Sequence, residues 1–152
     1  ENASKAGLGM DVEEAGGLAC AAVAAVNACG DVVDPQTGKV VAGMRGEDGS
    51  VGGTAEALLS MAASMPLDAP APRANTTISC VVTNARLTKA QATKVAQMAA
   101  DAYAHAICPT HTTNDGDAVF VMATGEVGAP VDVVGVLATR ALERAIVDSC
   151  AR

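Results

Sequence analysis

The sequence predicts an α/β fold in which a sheet packs under helices. Residues 76–83 (TTISCVVT) are rich in β-branched side chains, and residues 117–124 (DAVFVMAT) form a nearly continuous apolar run, so both are typical of strands. Between them, Thr88-Lys89-Ala90-Gln91 is a Ser/Thr-x-x-Gln capping box that opens a long amphipathic segment. We therefore expect the element order strand, hairpin, helix, linker, strand, helix, strand, helix.

The first part of the chain gives one ambiguous element and one clear one. The opening residues 1–17 have no strong periodicity. Residues 18–29 (LACAAVAAVNAC) are a run of small apolar side chains broken by one amide, Asn27, and such a run fits either a doubly buried strand or a buried helix. Two Val pairs then flank residues 34–38 (DPQTG), where Pro presets a turn and Gly supplies positive φ, so we predict a hairpin.

A loop, a short helix and a Pro-rich stretch separate the two halves of the chain. Residues 43–53 are rich in Gly but lack the Gly-Lys-Ser/Thr ending of a phosphate-binding loop. A short helix is expected over residues 54–65. Three prolines within residues 66–72 then exclude a helix or a central strand, which is typical of a linker.

The second half is predicted to alternate strands and helices. A strand over residues 76–83 precedes a helix that runs from the capping box to about residue 107, with small apolar residues on one face. A polar loop follows Cys108-Pro109. The apolar strand over residues 117–124 implies cover on both faces, and Pro130 suits the first position of a last helix that ends near residue 150.

Length and charge exclude several classes of function. The chain has 152 residues, a formal net charge of -7, one Tyr, one Phe and no Trp. One domain is expected, with thin layers packed from small side chains. Phosphate binding needs clustered Lys and Arg, and anionic membranes attract basic amphipathic helices, so neither nucleic acid nor a membrane is an expected partner. No apolar run approaches the roughly 18 residues of a spanning helix, and no signal peptide is recognised.

The cysteines and histidines give no metal-binding pattern. The five cysteines are scattered, with no CxxC pair and no His at ligand spacing, so we expect buried reduced thiols in a cytoplasmic protein. His105 lies four residues after Asp101, which favours an exposed ion pair. His111 lies in a polar loop. Since Glu1 is not an initiator Met, we expect a piece of a longer polypeptide.

The junction Arg73-Ala74-Asn75-Thr76-Thr77 is a candidate site because a Pro-rich stretch meets a strand headed by a hydroxyl residue. A chain cut before Thr76 would carry a nucleophilic hydroxyl and a free α-amine on one residue. With a pKa of about 7.7 to 8.0, that amine can act as the general base at neutral pH. A plain linker before a strand remains the alternative.

Two long motifs resemble a known family. Residues 75–125 (NTTISCVVTNARLTKAQATKVAQMAADAYAHAICPTHTTNDGDAVFVMATG) resemble the start of the β-subunit of the DmpA-like N-terminal-nucleophile peptidases, which comprise L-aminopeptidase/D-amidase-esterases and β-peptidyl aminopeptidases. Residues 21–43 (AAVAAVNACGDVVDPQTGKVVAG) are similar to the end of that family's α-subunit. The resemblance implies an α-β-β-α sandwich, of which residues 1–75 would be the end of α and residues 76–152 the whole of β.

The resemblance also implies site residues. The chain would cleave itself between Asn75 and Thr76, and Thr76 would be the nucleophile. Asn27 matches an oxyanion donor, with a buried amide satisfied by backbone as the alternative. Asp117 falls where the family has a carboxylate that orients the nucleophile. Asp115 aligns with a position that is Ser in the best-characterised members, so its role is open, and a simple turn is the alternative.

The expected function is that of a self-cleaving N-terminal Thr aminopeptidase or amidohydrolase acting on small peptides, amides or esters through an acyl-enzyme. The family uses no metal or cofactor, assembles αβ units into homo-oligomers, and takes further site residues from the N-terminal part of the α-subunit. Acyl transfer of the ornithine acetyltransferase type and a non-catalytic binding or structural subunit are the alternatives. A measurement of intact mass distinguishes the non-catalytic subunit, which would remain a single chain, from the self-cleaving enzyme.

Overall fold

The computed structural model describes residues 3–61 and 75–151, which form an α/β fold as predicted. Most of the Pro-rich stretch, including Arg73 and Ala74, lies outside the described residues. The strands are β1 (Leu8–Ala15), β2 (Leu18–Asn27), β3 (Asp31–Val33), β4 (Val40–Ala42), β5 (Thr76–Ala85), β6 (Ile107–Cys108) and β7 (Ala118–Val127). The helices are α1 (Thr54–Met61), α2 (Lys89–Ala99), α3 (Asp101–Ala106) and α4 (Val131–Asp148).

The larger sheet has four strands in the order β1-β2-β5-β7. β1, β2 and β5 are antiparallel neighbours, whereas β5 and β7 run parallel and are joined through α2 and α3. The ambiguous apolar run is strand β2, because its burial alternates with the period of two that a strand requires. The predicted hairpin is formed by β3 and β4, which join β6 in a second sheet.

Helices α2, α3 and α4 cover one face of the larger sheet, which we call the inner face. Small side chains there, such as Thr77, Ser79 and Ala24, are fully buried, so the helices approach the sheet closely. The predicted capping box is confirmed, since Gln91 N donates to Thr88 Oγ1 at 3.3 Å and Thr88 N donates to Gln91 Oε1 at 2.8 Å. The single helix predicted from the capping box to about residue 107 is divided at Ala100 into α2 and α3, although Ala100 keeps right-handed backbone angles (φ -62°, ψ -23°).

Strand β1 was missing from the predicted element order. Its side chains do alternate, but the apolar ones, Leu8, Met10 and Val12, point away from the helices. The inner positions carry acidic residues that face α4, where Arg144 Nε lies 2.9 Å from Glu13 Oε1. Residues 8–13 do alternate between apolar and other side chains, so the expectation that residues 1–17 lack periodicity is wrong over this strand, although its apolar side chains face away from the helices.

The opposite face of the sheet, which we call the outer face, is apolar and exposed. Strand register aligns three rows across it, each with one residue from β1, β2, β5 and β7: Leu8, Ala25, Ile78 and Ala118; Met10, Val23, Cys80 and Phe120; Val12, Ala21, Val82 and Met122. Phe120 is 59% exposed and Met122 60%. The apolar run of β7 implied that both of its faces are covered. Among the described residues, the outer face of β7 has no such cover.

Two smaller expectations need correction. His105 pairs with Glu143 of α4 rather than with Asp101, because the fold brings α3 and α4 side by side. The cysteines are all free, but they are not uniformly buried: Cys20 is buried, whereas Cys108 is exposed.

Candidate active site

One edge of the larger sheet collects every residue that the sequence predicted for the site. Strand β2 ends at Asn27, strand β5 begins at Thr76, and the loop before β7 carries Asp115 and Asp117. Because β2 is antiparallel to β5 and β7 is parallel to it, these three points meet at the same edge. Strand pairing thus brings together Asn27 and Thr76, which are 49 positions apart, and Thr76 and Asp115, which are 39 apart.

Asn27 and Thr76 are direct cross-strand partners in the β2–β5 pair. Directly opposed residues have Cβ atoms about 4.5–5.5 Å apart and project to the same face. Thr76 lies on the outer-face side of β5, in phase with Ile78, and Asn27 lies beside it. Asn27 is exposed in the described chain, which does not fit the alternative of a buried structural amide.

The peptide group between Asn75 and Thr76 is held by the loop before β7. Asn75 N donates to Asn114 O at 3.2 Å, and Gly116 N donates to Asn75 O at 3.1 Å. Thr76 Oγ1 lies 2.6 Å from the same carbonyl oxygen and donates to it. A cleft of about 370 Å³ opens here, lined by Asn75, Thr76 and the loop from Thr113 to Gly116. The carbonyl that self-cleavage would attack therefore already accepts two hydrogen bonds.

The Asp117 side chain contacts the backbone at the start of β5. Its Oδ1 accepts from Thr77 N at 2.9 Å, and its Oδ2 lies 3.1 Å from His111 Nδ1. The Asp117 side chain is only 9% exposed, whereas that of His111 is about half exposed. The described contacts of Asp117 thus reach the residue after Thr76 rather than Thr76 itself.

Asp115 contacts two segments other than β5. Its Oδ2 accepts from Thr112 N at 2.9 Å and from Thr112 Oγ1 at 2.7 Å. Its Oδ1 accepts from Cys29 N at 3.3 Å, two residues beyond Asn27. Asp115 N also donates to Thr112 O at 3.0 Å, which closes a turn through Thr113 and Asn114, just before Asp115 rather than at Asp115 and Gly116.

Three further residues at this edge were not predicted as site residues. Gly116 supplies its N–H to the Asn75 carbonyl, and a Cβ at this position would lie 3.2 Å from Thr76 Oγ1. His111 adopts φ 54°, a left-handed conformation that is uncommon for residues other than Gly. Nearly every residue has a backbone N–H, so the sequence does not indicate which one acts as a donor, and only the fold reveals the role of Gly116.

Tyr103 is the third of these residues and supports the site from the inner face. Its hydroxyl group lies 2.8 Å from Ser79 Oγ, 3.0 Å from Ala118 O and 3.2 Å from Thr77 O, so it ties α3 to both β5 and β7. Its ring centroid lies 5.9 Å from that of His111. Burial raises the pKa of Tyr103 to about 12, so the phenol is a neutral hydrogen-bond donor at physiological pH.

Metal binding has no candidate among residues 3–61 and 75–151, where no group of three or more His, Cys, Asp or Glu side chains is placed to hold an ion. Over the same residues, no helix has the length and apolar character needed to cross a membrane.

The fold is that of the N-terminal-nucleophile hydrolases. The L-aminopeptidase D-Ala-esterase/amidase of Ochrobactrum anthropi, described as a variant of that fold, superposes with a TM-score of 0.54 at 18% identity, over 97% of this chain and 40% of that one. A β-aminopeptidase from Burkholderia sp. superposes with a TM-score of 0.56 at 21% identity, over 96% of this chain and 42% of that one. At these identities the likeness concerns the fold.

The family follows from sequence. The profile of Peptidase family S58 matches residues 4–152, so the chain belongs to that family, and the predicted resemblance is confirmed. An uncharacterized aminopeptidase of Mycobacterium bovis is 40% identical over 116 residues, which are 75% of this chain and 34% of the relative. One from Mycobacterium leprae is 40% identical over 109 residues, 71% of this chain and 29% of the relative. The chain spans about a third of the length of these relatives.

Proposed function

We propose that this chain carries the self-cleavage site and the nucleophile of an aminopeptidase that hydrolyses N-terminal peptide, amide or ester bonds of small substrates. The proposal is supported above all by one observation: the Thr76 hydroxyl and the Gly116 N–H both lie on the Asn75 carbonyl oxygen. Membership in a peptidase family and the aminopeptidase relatives support the reaction class. The names of the structural neighbours support amides and esters as substrates.

Self-cleavage would proceed as an N-to-O acyl shift. Thr76 Oγ1 attacks the Asn75 carbonyl carbon, and the developing oxyanion is stabilised by the Gly116 N–H. The C–N bond then breaks as the hydroxyl proton passes to the Thr76 nitrogen, which leaves an ester and a free amine. Water hydrolyses the ester, so that Asn75 ends in a carboxylate and the Thr76 hydroxyl is regenerated.

Substrate hydrolysis would use the same hydroxyl. The freed α-amine, with an unperturbed pKa of about 7.7 to 8.0, takes the hydroxyl proton as Thr76 attacks the substrate carbonyl. Asn27, opposite Thr76 in the sheet, donates to the oxyanion from the neighbouring strand. A nearby carboxylate such as Asp117 would favour the charged amine and raise the pKa of that amine, and burial of the assembled site would offset this. Water completes the cycle by hydrolysing the acyl-enzyme.

The remaining α-subunit residues are the proposed partner of the outer face. That face presents three complete rows of apolar side chains, and apolar surfaces of this extent mark interaction sites. Covering it with a second sheet would complete the four-layer sandwich implied by the family, and the resulting αβ units would assemble as homo-oligomers. The free cysteines support the proposed cytoplasmic location.

Intact mass spectrometry of the full-length protein, combined with aminoacyl p-nitroanilides, tests the proposal. Two chains that meet at Asn75 and Thr76 are expected, together with amide hydrolysis. Thr76→Ala should abolish both cleavage and hydrolysis, whereas Thr76→Ser should retain some cleavage because its hydroxyl remains. A single persistent chain would favour a binding subunit, and acyl transfer to an amine without net hydrolysis would favour a transferase.

A further inference from the structure

We infer that Asp115 is a positioning residue, which fixes the loop before β7 against the end of β2 and thereby holds the Gly116 N–H on the Asn75 carbonyl. This inference rests on the proposed function and gives Asp115 a role within that site. Sequence left the role of this residue open, between a catalytic carboxylate and a turn.

The carboxylate uses both of its oxygens to join separate segments. Oδ2 accepts the backbone N–H and the hydroxyl of Thr112, at 2.9 and 2.7 Å, which fixes the loop at its start. Oδ1 accepts from Cys29 N at 3.3 Å, which ties the loop to the chain just beyond Asn27. Hydrogen bonds to a carboxylate are stronger than those between neutral groups, so this three-way contact is suited to holding a loop in place.

The residues on either side of Asp115 contact the cleavage site. Asn114 accepts from Asn75 N, and Gly116 donates to Asn75 O, so Asp115 is the bridge partner of Asn75 in a short parallel ladder. A shift of the loop would therefore move the Gly116 N–H away from the carbonyl. It would also release the tether between this loop and the strand end that carries Asn27.

The same contacts distinguish positioning from proton transfer. The three hydrogen bonds that the Asp115 carboxylate accepts come from Thr112 and Cys29, and each of them leads away from Thr76. The comparison is made between about pH 6 and 9, where an acid or base in the site would shape the pH profile of the rate. A clamp changes the rate without changing how the rate depends on pH in that range.

The experiment measures self-cleavage of full-length protein by intact mass over time, between about pH 6 and 9. Asp115→Asn replaces one acceptor oxygen by a donor, and in either orientation of the amide that donor faces the Cys29 N–H or the Thr112 donors. We expect cleavage to slow by about tenfold to hundredfold at every pH, as for a misplaced reacting group, with an unchanged shape of the pH profile. Asp34→Asn is the matched control, because Asp34 accepts a backbone N–H from Gln36 and the hydroxyl of Thr37 in an exposed turn remote from Thr76.

Three outcomes would overturn the inference. Cleavage of Asp115→Asn at the wild-type rate would show that the clamp is dispensable, and a lost limb of the pH profile would make Asp115 an acid or base. Ser is too short to contact both Thr112 and Cys29, so it cannot replace the clamp. Full activity of Asp115→Ser would therefore indicate that a hydrogen-bonding group at this position acts directly in the reaction. If Asp115→Asn does not fold, Thr112→Val should still slow cleavage severalfold. It removes the 2.7 Å bond to Asp115 and the 3.3 Å bond from Asn114 N to Thr112 Oγ1, and it keeps the backbone bond from Thr112 N to Asp115. In each case wild-type cleavage shows that the proposed function itself stands.

Discussion

Removing the amide of Asn27 separates the effect on catalysis from the effect on folding. Asn27 ends strand β2, is exposed, and is the direct partner of Thr76. We expect Asn27→Ala to fold normally and to hydrolyse substrate slowly. Asn27→Asp keeps the size of the side chain but places an acceptor where a donor is needed, and it should be slower still.

The expected effects of Asn27→Ala on stability and on catalysis differ enough in size to be distinguished. Substitutions at exposed positions change the free energy of unfolding by about 0.5 kcal/mol or less. Loss of one oxyanion donor raises the activation barrier by about 2.7–4 kcal/mol, which is roughly a 10²–10³-fold loss in kcat. The second effect should therefore dominate at this position.

The assay compares kcat for an aminoacyl p-nitroanilide with thermal unfolding of the same preparation. The fraction of two-chain protein is determined by mass first, so that slow turnover is not confused with slow cleavage. A fall in unfolding temperature of many degrees with kcat per folded molecule unchanged would refute the oxyanion role and restore the structural amide as the explanation.

Three further predictions concern the surroundings of Thr76 and the sheet. Gly116→Ala keeps the backbone donor but places a Cβ 3.2 Å from Thr76 Oγ1, so cleavage timed by intact mass should slow about tenfold with little change in stability. Wild-type cleavage of that variant would mean that the Thr76 hydroxyl adopts another orientation in the reaction. Tyr103→Phe removes the one hydroxyl that lies between Ser79 Oγ of β5 and Ala118 O of β7, so a buried polar group loses its partner and calorimetry should register a loss of about 1–3 kcal/mol. An unchanged unfolding temperature would contradict that account. Phe120→Ala should destabilise the full-length protein by about 3–5 kcal/mol if the outer face is covered, whereas a loss under about 0.5 kcal/mol would mean that Phe120 stays exposed.

Local sequence patterns were sufficient where one segment carries its own signal. The capping box at Thr88 fixed the start of α2, because both of its hydrogen bonds are made within four residues. The turn between β3 and β4 was equally local. The β-branched run over residues 76–83 identified Thr76 as the head of a strand. The long motifs gave the family, which the match over residues 4–152 confirms.

Other features depend on which element packs against which. Whether residues 18–29 form a strand or a helix depended on neighbours that β1 and β5 supply. Strand β1 is an exception, since its alternation over residues 8–13 is local and was overlooked. The partner of His105 was predicted wrongly because Glu143 is distant in sequence.

The sequence by itself determined the α/β class, the family and the residue that heads the second half, since these follow from periodicity, short-range capping and long motifs. Only the tertiary structure decided that Asn27 stands opposite Thr76 and that the Gly116 N–H meets the Asn75 carbonyl. The physical reason is that strand register and backbone hydrogen bonds join residues far apart in the chain, and a backbone N–H is the same chemical group at nearly every position.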